Sequence, residues 1–203
     1  MFEKNRPPIN KHFFILPLLL LIINPLQSQR ADNHDQNPVE ADNLLQRARQ
    51  AGTDKEREVL ATQSLNLSRN LAYNDGIIGA SILLGELCAR YNRNEEALQH
   101  YLMAEAKLQK RGKSETLQNV YGALGDIFLR EKLYSYACRY YGEVLSTATN
   151  DFVTMEKIAD AYLLDTRFDS AEIYYKKLII KYKNEGNNPH LVQIYQKLAT
   201  AYD

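Results

Sequence analysis

The 203-residue chain has no tryptophan, only two cysteines, and no excess of charge of either sign. Lys and Arg total 25, as do Asp and Glu. The clustered basic surplus that a nucleic-acid surface needs is therefore missing. Cys88 and Cys138 lack the paired spacing of a disulfide framework or a zinc site. Each falls among apolar neighbours at helical spacing and reads as a small core residue, although export would permit a disulfide. His34, His100 and His190 are isolated, without metal-ligand spacing. Gly85 and Gly125 do not stand in the Gly-rich strand-to-helix turn of a phosphate loop. No alternating apolar–polar run and no tight-hairpin dipeptide marks a strand. No nucleophile, base and acid recur together, so the chain reads as a non-enzyme with no catalytic residue, no metal and no cofactor.

Two features stand against these absences. The first is at the N-terminus. Lys4, Arg6 and Lys11 precede an apolar run, Phe13 to Ile23, and NPLQSQ follows it. The run is short for a mature bilayer span but suits the core of a secretory signal. Residues 1–28 are expected to be a signal peptide. Leu26 fits a cleavage site poorly, which leaves an uncleaved anchor open. No cysteine follows to carry a lipid. Residues 29–38 read as a polar linker ending at Pro38, and the chain is expected to be exported, periplasmic or anchored facing that compartment.

The second is a repeat. Fourteen tyrosines suggest one aromatic position used several times. The segments starting LGELCARY, LGDIFLRE and IADAYLLD align: Gly85, Gly125 and Ala159 correspond, as do Ala97, Ala137 and Ala171, and Tyr101, Tyr141 and Tyr175. Each segment has helical periodicity broken by one polar turn, so each unit is expected to be two antiparallel helices. The small residues mark close helix crossings, because glycine within a helix otherwise costs about 1 kcal/mol against alanine. A degenerate first unit is expected over 39–75, with Ser64 in the place of Ala104. Full units follow at about 78–111, 118–151 and 152–185, then a truncated unit over 192–203 with Tyr195, Leu198, Ala199 and Tyr202 in register. Turn chemistry gives Thr53 with Glu56 and Asp169 with Glu172 as capping boxes, and Asn94 and Asn188 as N-caps. Gly112 and Gly186 suit helix C-termini. In each of the pairs Tyr140-Tyr141 and Tyr174-Tyr175, one ring is expected in the core and one partly exposed.

The pattern resembles the tetratricopeptide repeat family over residues 39–203. It reads Tyr121, Leu124-Gly125, Phe128, Ala137 and Tyr141, with Val144 replacing a final alanine. The preceding unit reads Leu84-Gly85, Cys88, Ala97, Tyr101 and Ala104. The family's closing proline is missing at Gln109 and Thr149. The resemblance implies an all-α, right-handed superhelix of antiparallel helix pairs (an α-solenoid). It also implies a concave groove, lined by the first helices, that takes a protein or peptide segment. Its groove positions fall on Glu86, Ala89 and Arg90, on Asp126, Leu129 and Arg130, and on Glu156, Asp160 and Leu163. The Lys and Asn of the family's carboxylate clamp are absent. The alternative for these charges is self-neutralisation, through Glu86–Arg90 and Asp126–Arg130 pairs one helical turn apart.

The exported array is also similar to the periplasmic repeat regions of Bacteroidetes-type two-component sensor kinases. This implies a sensory interaction module, with membrane contact through the N-terminal segment or a span beyond Asp203. A free-standing periplasmic scaffold is the competing reading, and a homodimer with a second copy of the chain is left open.

Overall fold

The computed structural model describes residues 37–202. The signal expected over 1–28 and nearly all of the linker lie outside the described residues. Among the described residues there are nine α-helices and no strand: α1 (Pro38–Gln50), α2 (Asp54–Asn70), α3 (Asn74–Arg90), α4 (Asn94–Leu108), α5 (Glu115–Arg130), α6 (Tyr134–Leu145), α7 (Phe152–Leu164), α8 (Phe168–Asn184) and α9 (Asn188–Tyr202). A turn of 3₁₀ helix, Gln109–Arg111, extends α4. Within each pair the connection is three residues long (51–53, 91–93, 131–133 and 165–167). Connections this short fold neighbouring helices antiparallel. No described helix is long and apolar enough to cross a membrane.

Two helices begin earlier than the repeat suggests, α3 at Asn74 and α5 at Glu115 against expected unit starts of 78 and 118, whereas α9 begins at Asn188, one residue before the start that an Asn188 cap predicts. The extra first turns carry buried side chains, Ile77 in α3 and Leu117 in α5. Packing extends the helices beyond the segment in which the family pattern is visible.

One backbone device makes five of the turns. Ala72, Asn92, Lys132, Thr166 and Gly186 all take positive φ, between 52° and 65°. At Gly186 the amide donates to the Lys183 carbonyl, and the Asn187 amide reaches the Tyr182 carbonyl at 2.9 Å. The other four turns repeat both bonds, which satisfy the last carbonyls of the preceding helix. This geometry explains why three expected caps fail. The residue closing the turn (Arg93 before α4, Arg167 before α8) becomes the N-cap without a side-chain bond. Asn94 and Asp169 then lie already inside their helices. Asn188 is likewise the first helical residue rather than the cap. Thr53 does cap α2, accepting from the Glu56 amide at 3.2 Å, and Ser114 and Asp151 cap α5 and α7 in the same way.

Left-handed backbone costs a residue with a Cβ about 1–2 kcal/mol, and a β-branched residue fits it worst. Thr166→Gly is therefore expected to stabilise the chain by up to about 1 kcal/mol, after subtracting the added freedom of the unfolded glycine. Asn92→Gly should be close to neutral, because asparagine tolerates this region. Urea midpoints of the two variants check the contrast.

The core follows the repeat but crosses its borders. Ile77, Ala80 and Leu84 of α3 pack with Leu45, Ala48 and Leu65 of the first pair. Ile158 of α7 packs with the α5–α6 core. Each pair thus buries its apolar face only by stacking on the next, as in repeat proteins generally. Ala97, Ala137 and Ala171 are buried, and the rings of Tyr101, Tyr141 and Tyr175 lie inside. Each buried ring contributes about 1.5–3 kcal/mol. Ser64, in the place of Ala104, is buried and donates to the Ala41 carbonyl at 2.7 Å. Both cysteines are free and buried, as expected of core residues. One expectation fails: Tyr140 is buried like its neighbour Tyr141. Its ring stacks on Phe128 at 5.4 Å, and its hydroxyl donates to Glu105. Tyr174 is partly exposed as expected.

Candidate interaction surface

The first helices carry one acid at a fixed place, directly after the small residue: Glu86 in α3, Asp126 in α5 and Asp160 in α7. Asp126 accepts from the Tyr141 hydroxyl of its own pair at 2.6 Å. It also holds Lys157 of α7, whose Nζ lies 2.7 and 3.0 Å from its two oxygens and 5.6 Å from the Tyr141 ring centroid. Asp160 repeats the arrangement. Tyr175 donates its hydroxyl, and Lys197 of α9 sits 2.7 Å from both carboxylate oxygens. Glu156 adds a third contact to Lys197 at 3.1 Å. Burial works against the Lys197 ammonium, but these carboxylates outweigh it and raise its pKa.

The arginines do something else. Arg90 ends α3 and reaches back to Asp54, the first residue of α2, at 2.9 and 3.0 Å. The Tyr91 hydroxyl joins at 2.8 Å and is the main reason the Asp54 carboxyl is held below its ordinary pKa, with Arg90 and Arg57 adding to it against a smaller cost of burial. Arg130 ends α5 and reaches back to Asn94, the first residue of α4, at 3.3 Å. Neither arginine pairs with the acid one turn before it, so the expected Glu86–Arg90 and Asp126–Arg130 neutralisation does not occur. In both cases the arginine instead bonds the first residue of a helix in the preceding pair. Both sets of contacts join consecutive pairs, and each exposed pair is worth about 0–1 kcal/mol. Their effect is to fix the register of stacking.

Of the apolar positions expected in the groove, Ala89 and Leu129 pack against the central core and Leu163 against the C-terminal one. The lysines were missed from sequence. Their signal was present, because Lys157 and Lys197 each stand two residues before the small residue of their helix. Among the described residues no group of three or more His, Cys, Asp or Glu is placed to hold a metal. A shallow depression of about 180 Å³ beside Gly112, Leu117, Tyr121 and Thr147 is smaller than ordinary ligand pockets of roughly 300–1,000 Å³.

The stacked antiparallel pairs, small-residue crossings and continuous core define an all-α, right-handed solenoid of the tetratricopeptide-like class. Solved structures agree. A signal-transduction ATPase with numerous domains from Pyrococcus horikoshii, described as carrying a tetratricopeptide repeat sensor, matches with TM-score 0.66 and 16% identity over 83% of this chain. The match spans 28% of that protein. The nearly identical TPR-like repeats of a kinesin light chain described as putative, from Podosopora anserina, match with TM-score 0.66 and 14% identity, covering 83% of this chain and 88% of theirs. A form of those repeats carrying one substitution gives the same values. No protein-family model matches the chain, and no curated protein does.

Proposed function

We propose that the chain is a non-catalytic interaction module that binds a segment of another protein along its first helices. The observation carrying this reading is the row Glu86, Asp126 and Asp160. It presents side chains at a constant offset on helices locked in register by Lys157, Lys197, Arg90 and Arg130. A surface ordered before binding loses less entropy when a partner arrives. We further propose that the module is the extracytoplasmic sensory part of a two-component signalling protein. The basic flank and apolar run before residue 28 support export. The sensor role described for the Pyrococcus repeats supports sensing.

A second reading, a free-standing scaffold, is favoured by Ile173 and Ile180. They lie seven residues apart on α8, 58% and 63% exposed, and offer a second apolar strip. Panning a random-sequence peptide display library against the full chain tests the binding surface. Enriched peptides should lose affinity when Asp126 and Asp160 are both changed to Asn, and keep it when Ile173 and Ile180 are changed to Ser. The reverse pattern would favour the scaffold, and no enrichment would remove the module reading. Expressed with its own first 28 residues, the chain should fractionate with the periplasm or membrane; recovery only from the cytosol would remove export.

A further inference from the structure

We infer that Glu86 and Tyr101 form a seat for a lysine side chain presented by the bound protein segment. The inference deepens the interaction reading above and rests on it.

The seat is defined by its two internal counterparts. At the α5–α7 joint, a carboxylate one residue after the small position (Asp126) and a buried tyrosine ring (Tyr141) receive the Lys157 ammonium. At the α7–α9 joint, Asp160 and Tyr175 stand in the same places, and Asp160 receives Lys197. Each lysine stands two residues before the small residue of the following first helix. At the α3–α5 joint the acid is Glu86 and the ring is Tyr101, but the residue two before Gly125 is Ala123. Spacing does not account for the difference. Glu86 and Ala123 are 37 residues apart, the same separation as Asp160 and Lys197. A methyl group therefore stands where the chain elsewhere supplies an ammonium.

Glu86 is exposed, and among the described residues it has neither an ion-pair partner nor a hydroxyl donor. Arg90, one turn away, is committed to Asp54. Tyr101 is buried, as Tyr141 is. After burial, the charge of Glu86 is the largest influence raising the Tyr101 phenol's pKa, so the two stand near each other. A carboxylate near an aromatic ring suits a compact ammonium, which donates a hydrogen bond to the first and is drawn to the second by cation–π attraction. The other two joints show that this fold accepts lysine in that position.

Two measurements test the seat. The first needs no ligand. Ala123→Lys should place an ammonium on Glu86 from within, its stem lying along the apolar surface as long cationic side chains do. A melting temperature higher by roughly 1–4 °C is expected. The gain should vanish in the Ala123→Lys, Glu86→Gln double variant. A gain independent of Glu86, or no gain, would refute the seat.

The second uses peptides recovered from the display library on the full chain. They should share a lysine, and exchanging it for norleucine, Glu86→Gln or Ala123→Lys should each weaken binding roughly fivefold. Circular dichroism should stay unchanged in the two protein variants. If peptides bind but all three changes leave affinity intact, the lysine seat is wrong while the interaction reading survives. If no peptide binds, both fall.

Discussion

Gly125→Leu is expected to lower the melting temperature by roughly 6–12 °C, from a cost of about 3 kcal/mol in a chain of this size. A Cβ built on Gly125 would lie 2.5 Å from Cε1 and 2.6 Å from Cδ1 of Tyr141. The ring cannot swing clear easily. It is fully buried, and its hydroxyl is tied to Asp126 on the same helix as the glycine. The α5–α6 crossing must widen, in a core that also holds the stacked rings of Phe128 and Tyr140. Gly85 makes the informative comparison. A Cβ there would meet the Tyr101 ring at 3.0–3.1 Å, a smaller overlap that a slight ring shift relieves. Gly85→Ala should therefore cost little, because the better helix propensity of alanine, about 1 kcal/mol, offsets the overlap. Differential scanning calorimetry of the full chain checks both. A Gly125→Leu protein melting within a degree or so of the parent would show that the crossing is not set by that glycine.

The same crossing shows what the sequence could and could not reveal. A glycine inside a helical pattern, repeated with alanine and tyrosine at fixed offsets, allows few explanations other than packed helix pairs. The fold class and the core were legible for that reason. Two helix starts were less legible: the first turn of α3 is held by the burial of Ile77 without a side-chain cap, and α5 starts at a cap, Ser114, that the repeat pattern does not mark. The turns were read partly wrongly. Left-handed residues are usually glycine or asparagine, yet Lys132 and Thr166 occupy these sites, and the expected caps Asn94 and Asp169 then fell one or two residues inside their helices. The charges were read as local pairs because neighbours on one helix are visible in a sequence. Arg90 and Arg130 instead bond residues 36 positions away, and Lys157 and Lys197 bond residues 31 and 37 away. Such partners emerge only when one repeat's offsets are carried into the next.

Raising the pH above 10 should unfold the chain cooperatively, with helix lost between about pH 10 and 12. Burial is the first cause that raises the pKa values of Tyr101, Tyr140, Tyr141 and Tyr175 above the ordinary 10, to about 12 for Tyr140 and higher for the others. Donation to Asp126 and Asp160 raises Tyr141 and Tyr175 further, because a phenolate could not make those bonds. A folded pKa above the unfolded one means that the native state holds its proton more tightly. The associated stability is fully present below pH 10 and is lost as pH rises toward the folded values. One pKa unit is about 1.4 kcal/mol, so at pH 12 each ring withdraws about 2–3 kcal/mol. Four rings together withdraw on the order of 10 kcal/mol, comparable to the whole stability of an ordinary domain, about 5–15 kcal/mol. Cys138, pushed up to about 11 by burial, acts in the same direction. Exposed tyrosines should ionise first with the helix signal intact, and the buried set should ionise together with helix loss. Parallel ultraviolet absorbance and circular dichroism titrations would show this, and Tyr140→Phe should remove one ring from the late step. Complete tyrosine ionisation with undiminished helix would mean that these rings are not buried as described.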